Sequence, residues 1–186
     1  MPYSIRVTIE GVAPILFNRW TEEAADKLRS GATGGKFTDA SRMAEALTKV
    51  YRDEAGKYLM VPGWNLKKCI LQGCQRAGLK EGRAGMMPFL AATVFVDGDP
   101  SFGVTEPDFV DERSGRRPAK TGGAVLIKRP ALKAGWQLPF TLNVVDDRRD
   151  APSIRRAVEE AGVMVGLGDF RPEFGRFVVR EWEIVR

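Results

Sequence analysis

The stretch GVMVGLGDFRPEFGRF, residues 162–177, holds four glycines, two arginines and three phenylalanines. Glycine permits positive φ and close backbone approach, so Gly162, Gly166, Gly168 and Gly175 allow a loop that exposes its N–H groups to an anion. Arg171 and Arg176 add forked donors whose geometry suits phosphate. A second anion-favouring element is VPGWNLKK, residues 61–68, where a Pro-Gly turn opens a helix. Unpaired N–H groups and the helix dipole favour negative charge at such a start, and Lys67 and Lys68 lie just inside it. The glycine spacing is not GxGxxG and no strand precedes it, which argues against dinucleotide binding.

The chain contains no histidine, which removes imidazole as general base, as activator of a nucleophile and as metal ligand. Cys69 and Cys74 are five apart in a helical pattern and fit neither CxxC nor a zinc half-site. They read as buried free thiols in a reducing compartment. Asp146 and Asp147 are neighbours at the end of a strand pattern and point to opposite faces, so they form no metal pair. No catalytic residue, metal or cofactor is expected. Lysine and arginine number 29 against 24 acidic residues, a net charge of +5 that favours an anionic partner. No apolar run reaches membrane-spanning length, and MPYSIRVTIE alternates instead of forming a signal-peptide core. A cytoplasmic protein without membrane contact is expected.

Positioning these groups falls to a recognisable series of elements. Tyr3, Ile5, Val7 and Ile9 alternate with polar residues and predict an opening strand. TEEAADKLRS after a cap at Thr21 and DASRMAEALTKVY after a cap at Asp39 predict helices joined by a GATGGKF loop, the second with Met43, Ala46, Leu47 and Val50 on one face. LKKCILQGCQRAG predicts a core helix capped by Asn65, burying Leu66, Ile70, Gly73 and Ala77 and turning Lys67, Lys68, Gln72 and Arg76 away. ATVFVDGD predicts a short strand. Residues 98–133, rich in proline and glycine, are expected to be irregular. Trp136, Leu138, Phe140, Leu142 and Val144 alternate strictly, although Pro139 moves the expected start of pairing to Phe140. DAPSIRRAVEEAG predicts a helix capped by Asp150 that buries Ile154, Ala157, Val158 and Ala161, and RFVVREWEIV predicts a last strand.

With insertions at about 19–58 and 98–133 set aside, the order is strand, helix, strand, strand, helix, strand. That order predicts one α+β domain over residues 1–186, ferredoxin-like or RRM-like, with two helices covering one face of a four-stranded antiparallel sheet. In this topology the chain from the second helix to the last strand passes the start of the first helix. The two anion-favouring elements are thereby brought together.

GVMVGLGDFRPEFGRF before the last strand, with VPGWNLKKCILQ opening the first helix, resembles the RAMP superfamily of CRISPR-associated RNA-binding proteins. The likeness is greatest to the backbone subunits that line up along a guide RNA. IEGVAPILFNRW and LGDFRPEFGRF are also similar to segments of phage and prophage proteins. The resemblance implies an RRM-like core whose glycine loop, first-helix entrance and insertions grip the sugar-phosphate backbone without reading bases. Carried over by matching position, it implies contacts from Gly166, Gly168, Arg171, Gly175 and Arg176, and from Trp64, Asn65, Lys67 and Lys68. Trp64, Phe170 and Phe174 are the aromatics available to stack bases. It also implies a thumb-like hairpin between strands two and three, carrying Arg113, Arg116, Arg117, Lys120, Lys128 and Arg129.

The expected function is non-catalytic, sequence-independent binding of single-stranded nucleic acid, RNA or DNA, by a homo-oligomer or filament along the strand. Two alternatives remain. One is a RAMP-type endoribonuclease in which tyrosine or lysine replaces the usual histidine. The other is a phage protein that mimics a CRISPR subunit and binds protein only.

Overall fold

A computed structural model describes residues 2–22, 26, 39–116, 124–146 and 151–185 of the chain. In chain order its elements are β1 (Tyr3–Gly11), β2 (Ile15–Leu16), α1 (Asp39–Leu47), α2 (Gly63–Arg76), β3 (Lys80–Glu81), β4 (Ala84–Gly85) and α3 (Met87–Thr93). There follow β5 (Val94–Val96), β6 (Phe109–Arg116), β7 (Ala124–Leu132), β8 (Gln137–Val144), α4 (Ala151–Met164) and β9 (Phe177–Val185). The GATGGKF loop, the Asp150 cap and most of the helix expected after Thr21 lie outside the described residues. No described helix is long and apolar enough to cross a membrane.

Four strands form an antiparallel sheet in the order β5-β8-β1-β9, with β1 central and Ile5 opposite both Leu142 and Ile184. Alternation turns Ile5, Val7, Ile9, Leu138, Leu142 and Val144 to one face, where all are buried. That face is covered by α2 and α4, whose predicted stripes are buried: Leu66 and Ile70 on one, Ile154, Ala157, Val158 and Ala161 on the other. Each fully buried leucine or isoleucine contributes roughly 1.5–3 kcal/mol. The two helices meet where a Cβ on Gly73 would strike the backbone of Ala161. The result is a mixed α/β fold with antiparallel sheets, consistent with the RRM-like or ferredoxin-like expectation.

Three expectations are corrected. Pairing in β8 begins at Gln137, with Pro139 in register opposite Thr8. Thr141 turns its carbonyl toward the Asp97 N–H on the β5 side, so Pro139, two residues earlier, turns its nitrogen to the same side. The paired part of β5 has ended by then, and no ladder bond is lost. Residues 98–108 are irregular as expected, but Phe109–Arg116 and Ala124–Leu132 are not: β6 and β7 form a long antiparallel hairpin, and β2 adds to it in the order β2-β7-β6. The helix expected through Tyr51 ends at Leu47 as α1, and only part of its predicted face is buried: Ala46, and Val50 beyond the helix end, are inside while Met43 and Leu47 are exposed.

Candidate nucleic-acid interface

α2 starts without the expected Asn65 cap. Pro62 precedes the helix, the Asn65 backbone N–H donates to the Pro62 carbonyl at 2.8 Å, and the Asp99 carboxylate accepts from the Gly63 N–H at 2.7 Å. A carboxylate from beyond β5 therefore occupies the positive end of the helix, which is not an open seat for phosphate. The next residues diverge. Lys67 turns sideways, donating from Nζ to the Ala91 carbonyl at 2.7 Å and lying 3.9 Å from the Phe95 ring centre, and burial lowers its pKa. Trp64 and Lys68 remain exposed, and with half-buried Asn65 they line a cleft of about 240 Å³ whose opposite wall includes Gly168, Asp169 and Arg171.

The glycine loop is sewn to its surroundings through its backbone. The N–H groups of Leu167, Asp169 and Gly175 donate to the carbonyls of Gly175, Leu16 and Pro14 at 2.9, 2.9 and 2.7 Å, and the Cys69 thiol donates to the Gly166 carbonyl at 3.2 Å. Gly166, Gly168 and Gly175 adopt φ of 76°, 78° and 73°, whereas Gly162 lies inside α4, where a Cβ would strike the Phe177 carbonyl. At Gly168 and Gly175 a Cβ would strike the carbonyls of Leu16 and Leu167, so both the φ and the space require glycine. These bonded N–H groups are not the free donors expected of the loop. Its cationic offering is instead the exposed side chains of Arg171, which lines the cleft, and Arg176, which does not.

Asp169 ties this loop to the hairpin. Its Oδ2 accepts from Arg129 Nε at 2.5 Å and from Asn18 Nδ2 at 2.9 Å. Strand register puts Asp111, Arg113 and Arg129 on one face of the hairpin. On that face the Phe170 ring lies 4.7 Å from the Arg129 guanidinium and 5.6 Å from that of Arg113, and Phe174 lies 4.5 Å from Arg113. Lys128, on the other face, pairs with Glu112 at 2.6 Å and is 3% exposed, and α1 packs on β7.

The thumb assignment is corrected accordingly. Lys128 and Arg129 are buried ion-pair partners, and Arg113 is bonded to Asp111 at 2.7 and 3.1 Å beside the phenylalanines. Phe170 and Phe174 likewise belong to the contact between loop and hairpin. Arg116 ends β6, while Arg117 and Lys120 lie outside the described residues. Of the residues anticipated, the structure gathers Trp64, Asn65, Lys68, Gly168 and Arg171 around one cleft. It adds Asn18, Tyr51 and Asp169, which sequence reasoning missed. Asn18 sits in a segment without periodic pattern, Tyr51 ends the stretch read as a helix but lies beyond the end of α1 at Leu47, and an isolated loop aspartate gives no signal until its cation is known.

The uncovered sheet face, where RRM domains stack bases, carries paired charges. Arg6 lies 3.5 Å from Glu183, the Thr8 hydroxyl donates to Glu181 at 2.6 Å, and Arg180 donates to both oxygens of Glu10 at 3.0 and 2.7 Å. The Arg180 hydrogen bonds hold the Glu10 carboxyl below its ordinary pKa.

No family model and no curated protein matches the sequence. Among solved structures, the chain is similar over its whole length to a chain in the cryo-EM structure of the Type III-B Cmr-beta bound to cognate target RNA, with a TM-score of 0.56 and 15% identity. This chain spans 61% of the length of that one. At that identity the likeness is one of fold.

Proposed function

We propose that this chain is a RAMP-type, non-catalytic protein that binds single-stranded nucleic acid through its backbone, without sequence preference, and assembles in several copies along the strand. One observation carries the reading. Trp64, Lys68 and Arg171 converge on one cleft beside the glycine loop, and among the described residues none of these side chains has a hydrogen bond or ion pair. Cations left unpaired beside an exposed aromatic are the usual means of holding a single strand. The fold likeness to a chain from a structure bound to target RNA supports the same reading. The paired charges on the open sheet face make the cleft side the favoured contact.

Anisotropy titrations on unrelated RNA and DNA single strands across a salt series test it. Affinities should be similar between sequences and fall steeply with salt. Lys68→Ala and Arg171→Ala should each reduce the salt slope by roughly 0.7 while leaving the melting temperature unchanged. Failure to bind any of several oligonucleotides at low salt would overturn the proposal.

A further inference from the structure

We propose that the cleft between α2 and the glycine loop receives one unstacked nucleobase, with its phosphate held outside by Lys68 and Arg171. The inference rests on the nucleic-acid reading above and adds a base seat to it. The lining decides which end of a nucleotide enters. Much of it is apolar, from Leu16, Met60, Val61 and Leu167, which offers nothing to a phosphate and suits the faces of a ring. The Asp169 carboxylate is part of the same wall, and Asp99 already caps the nearby helix start. Asp169 already compensates Arg129 and Asp99 the positive helix start, so neither charge is left to draw an anion deep, and the phosphate stays where the exposed cations are.

The polar groups in the wall suit a base edge. Asn18 spends its Nδ2 on Asp169 Oδ2, which leaves the Asn18 carbonyl oxygen and Asp169 Oδ1 as acceptors for ring or amino N–H groups. Asn65 supplies an amide with no side-chain partner among the described residues. Trp64, 65% exposed, offers a stacking face at the cleft. The volume of about 240 Å³ falls below the ~300–1,000 Å³ usual for drug-sized ligands, which suits a single ring system.

The source of the base, a free nucleotide or a strand, is separated by probes. The full chain is titrated with an intact single strand, with an abasic strand of equal length, with the four nucleoside monophosphates and with ribose 5-phosphate. The abasic strand should bind ~10-fold to ~100-fold more weakly than the intact one. Trp64→Ala should weaken the intact strand to the abasic level and leave the abasic strand unaffected, while Trp64→Phe, which keeps a ring, should restore most of the difference. Monophosphates should quench the part of the fluorescence that Trp64→Phe removes, and ribose 5-phosphate should not. Equal affinity for intact and abasic strands overturns the base seat and leaves strand binding standing. Binding of monophosphates without either strand supports the base seat and overturns the strand reading, and binding of no probe overturns both.

Discussion

Arg129 carries its charge into the interior on the strength of Asp169, yet its Nη1 is buried without a hydrogen-bond partner. A buried unpaired donor costs about 1–3 kcal/mol, so the pair adds little net stability although breaking it is expensive. Asp169→Asn, which strands the guanidinium, should lower the unfolding free energy by about 3 kcal/mol. Arg129→Met combined with Asp169→Asn should recover most of that loss. Urea denaturation of both variants checks this, and an Asp169→Asn protein as stable as the parent would count against it. Cys69 gives a pH signature at the same scale. Burial pushes its thiol up to about 12 from an ordinary value of 9.0. Folding therefore favours the protonated thiol, a contribution fully present below pH 9 and lost as pH rises from 9 toward 12. Stability should decline over that window, and Cys69→Ala should flatten the decline. A thiol reagent at pH 8 should leave Cys69 unlabelled until the protein unfolds.

At the scale of elements, the contact between α2 and α4 depends on a missing side chain. A Cβ on Gly73 meets the Cα and backbone nitrogen of Ala161 as well as its methyl. Gly73→Ala should cost roughly 2 kcal/mol, read from thermal melts, and adding Ala161→Gly should restore only part because the backbone atoms remain. Such contacts explain what was legible. β1 and β8 each have one covered face, so alternation revealed them, and the stripes of α2 and α4 read just as clearly. The hairpin was implied by the resemblance alone and not by the residue pattern, because FVDERSGR lacks apolar alternation. In β7 the consecutive residues Lys128 and Arg129 are both buried, and a rule that assumes one wet face cannot find that. α3 has seven residues, too few for a helical period to show. The cap on α2 arrives from Asp99, 36 residues beyond Gly63, where no local signal reaches. For the site, topology alone brought Trp64 and Lys68 to the glycine loop. Its neighbours Asn18 and Tyr51 needed the packed structure.

Across the whole molecule, the base of the hairpin is buried at Lys128, Arg129, Ala131 and Leu132, and the proposed assembly would draw on its outer half. Replacing residues 114–127 with a short Gly-Ser linker retains the Glu112–Lys128 and Asp111–Arg129 register pairs. The shortened protein should fold normally but lose ordered arrays on long single strands, by mass photometry or electron microscopy. Regular arrays from it would remove the hairpin tip from assembly, and a full-length chain that stays monomeric on long strands would remove the arrays. The paired charges on the open sheet face have a kinetic consequence. With Arg6 and Arg180 matched to Glu183 and Glu10 there, three exposed cations without a carboxylate partner among the described residues, Lys68, Arg76 and Arg171, line the clefts flanking the glycine loop. On the proposed reading, these cations would give a polyanionic strand a torque that turns the cleft side toward it before contact. Encounters with such a strand would then begin nearer to alignment, with fewer collisions on the wrong side.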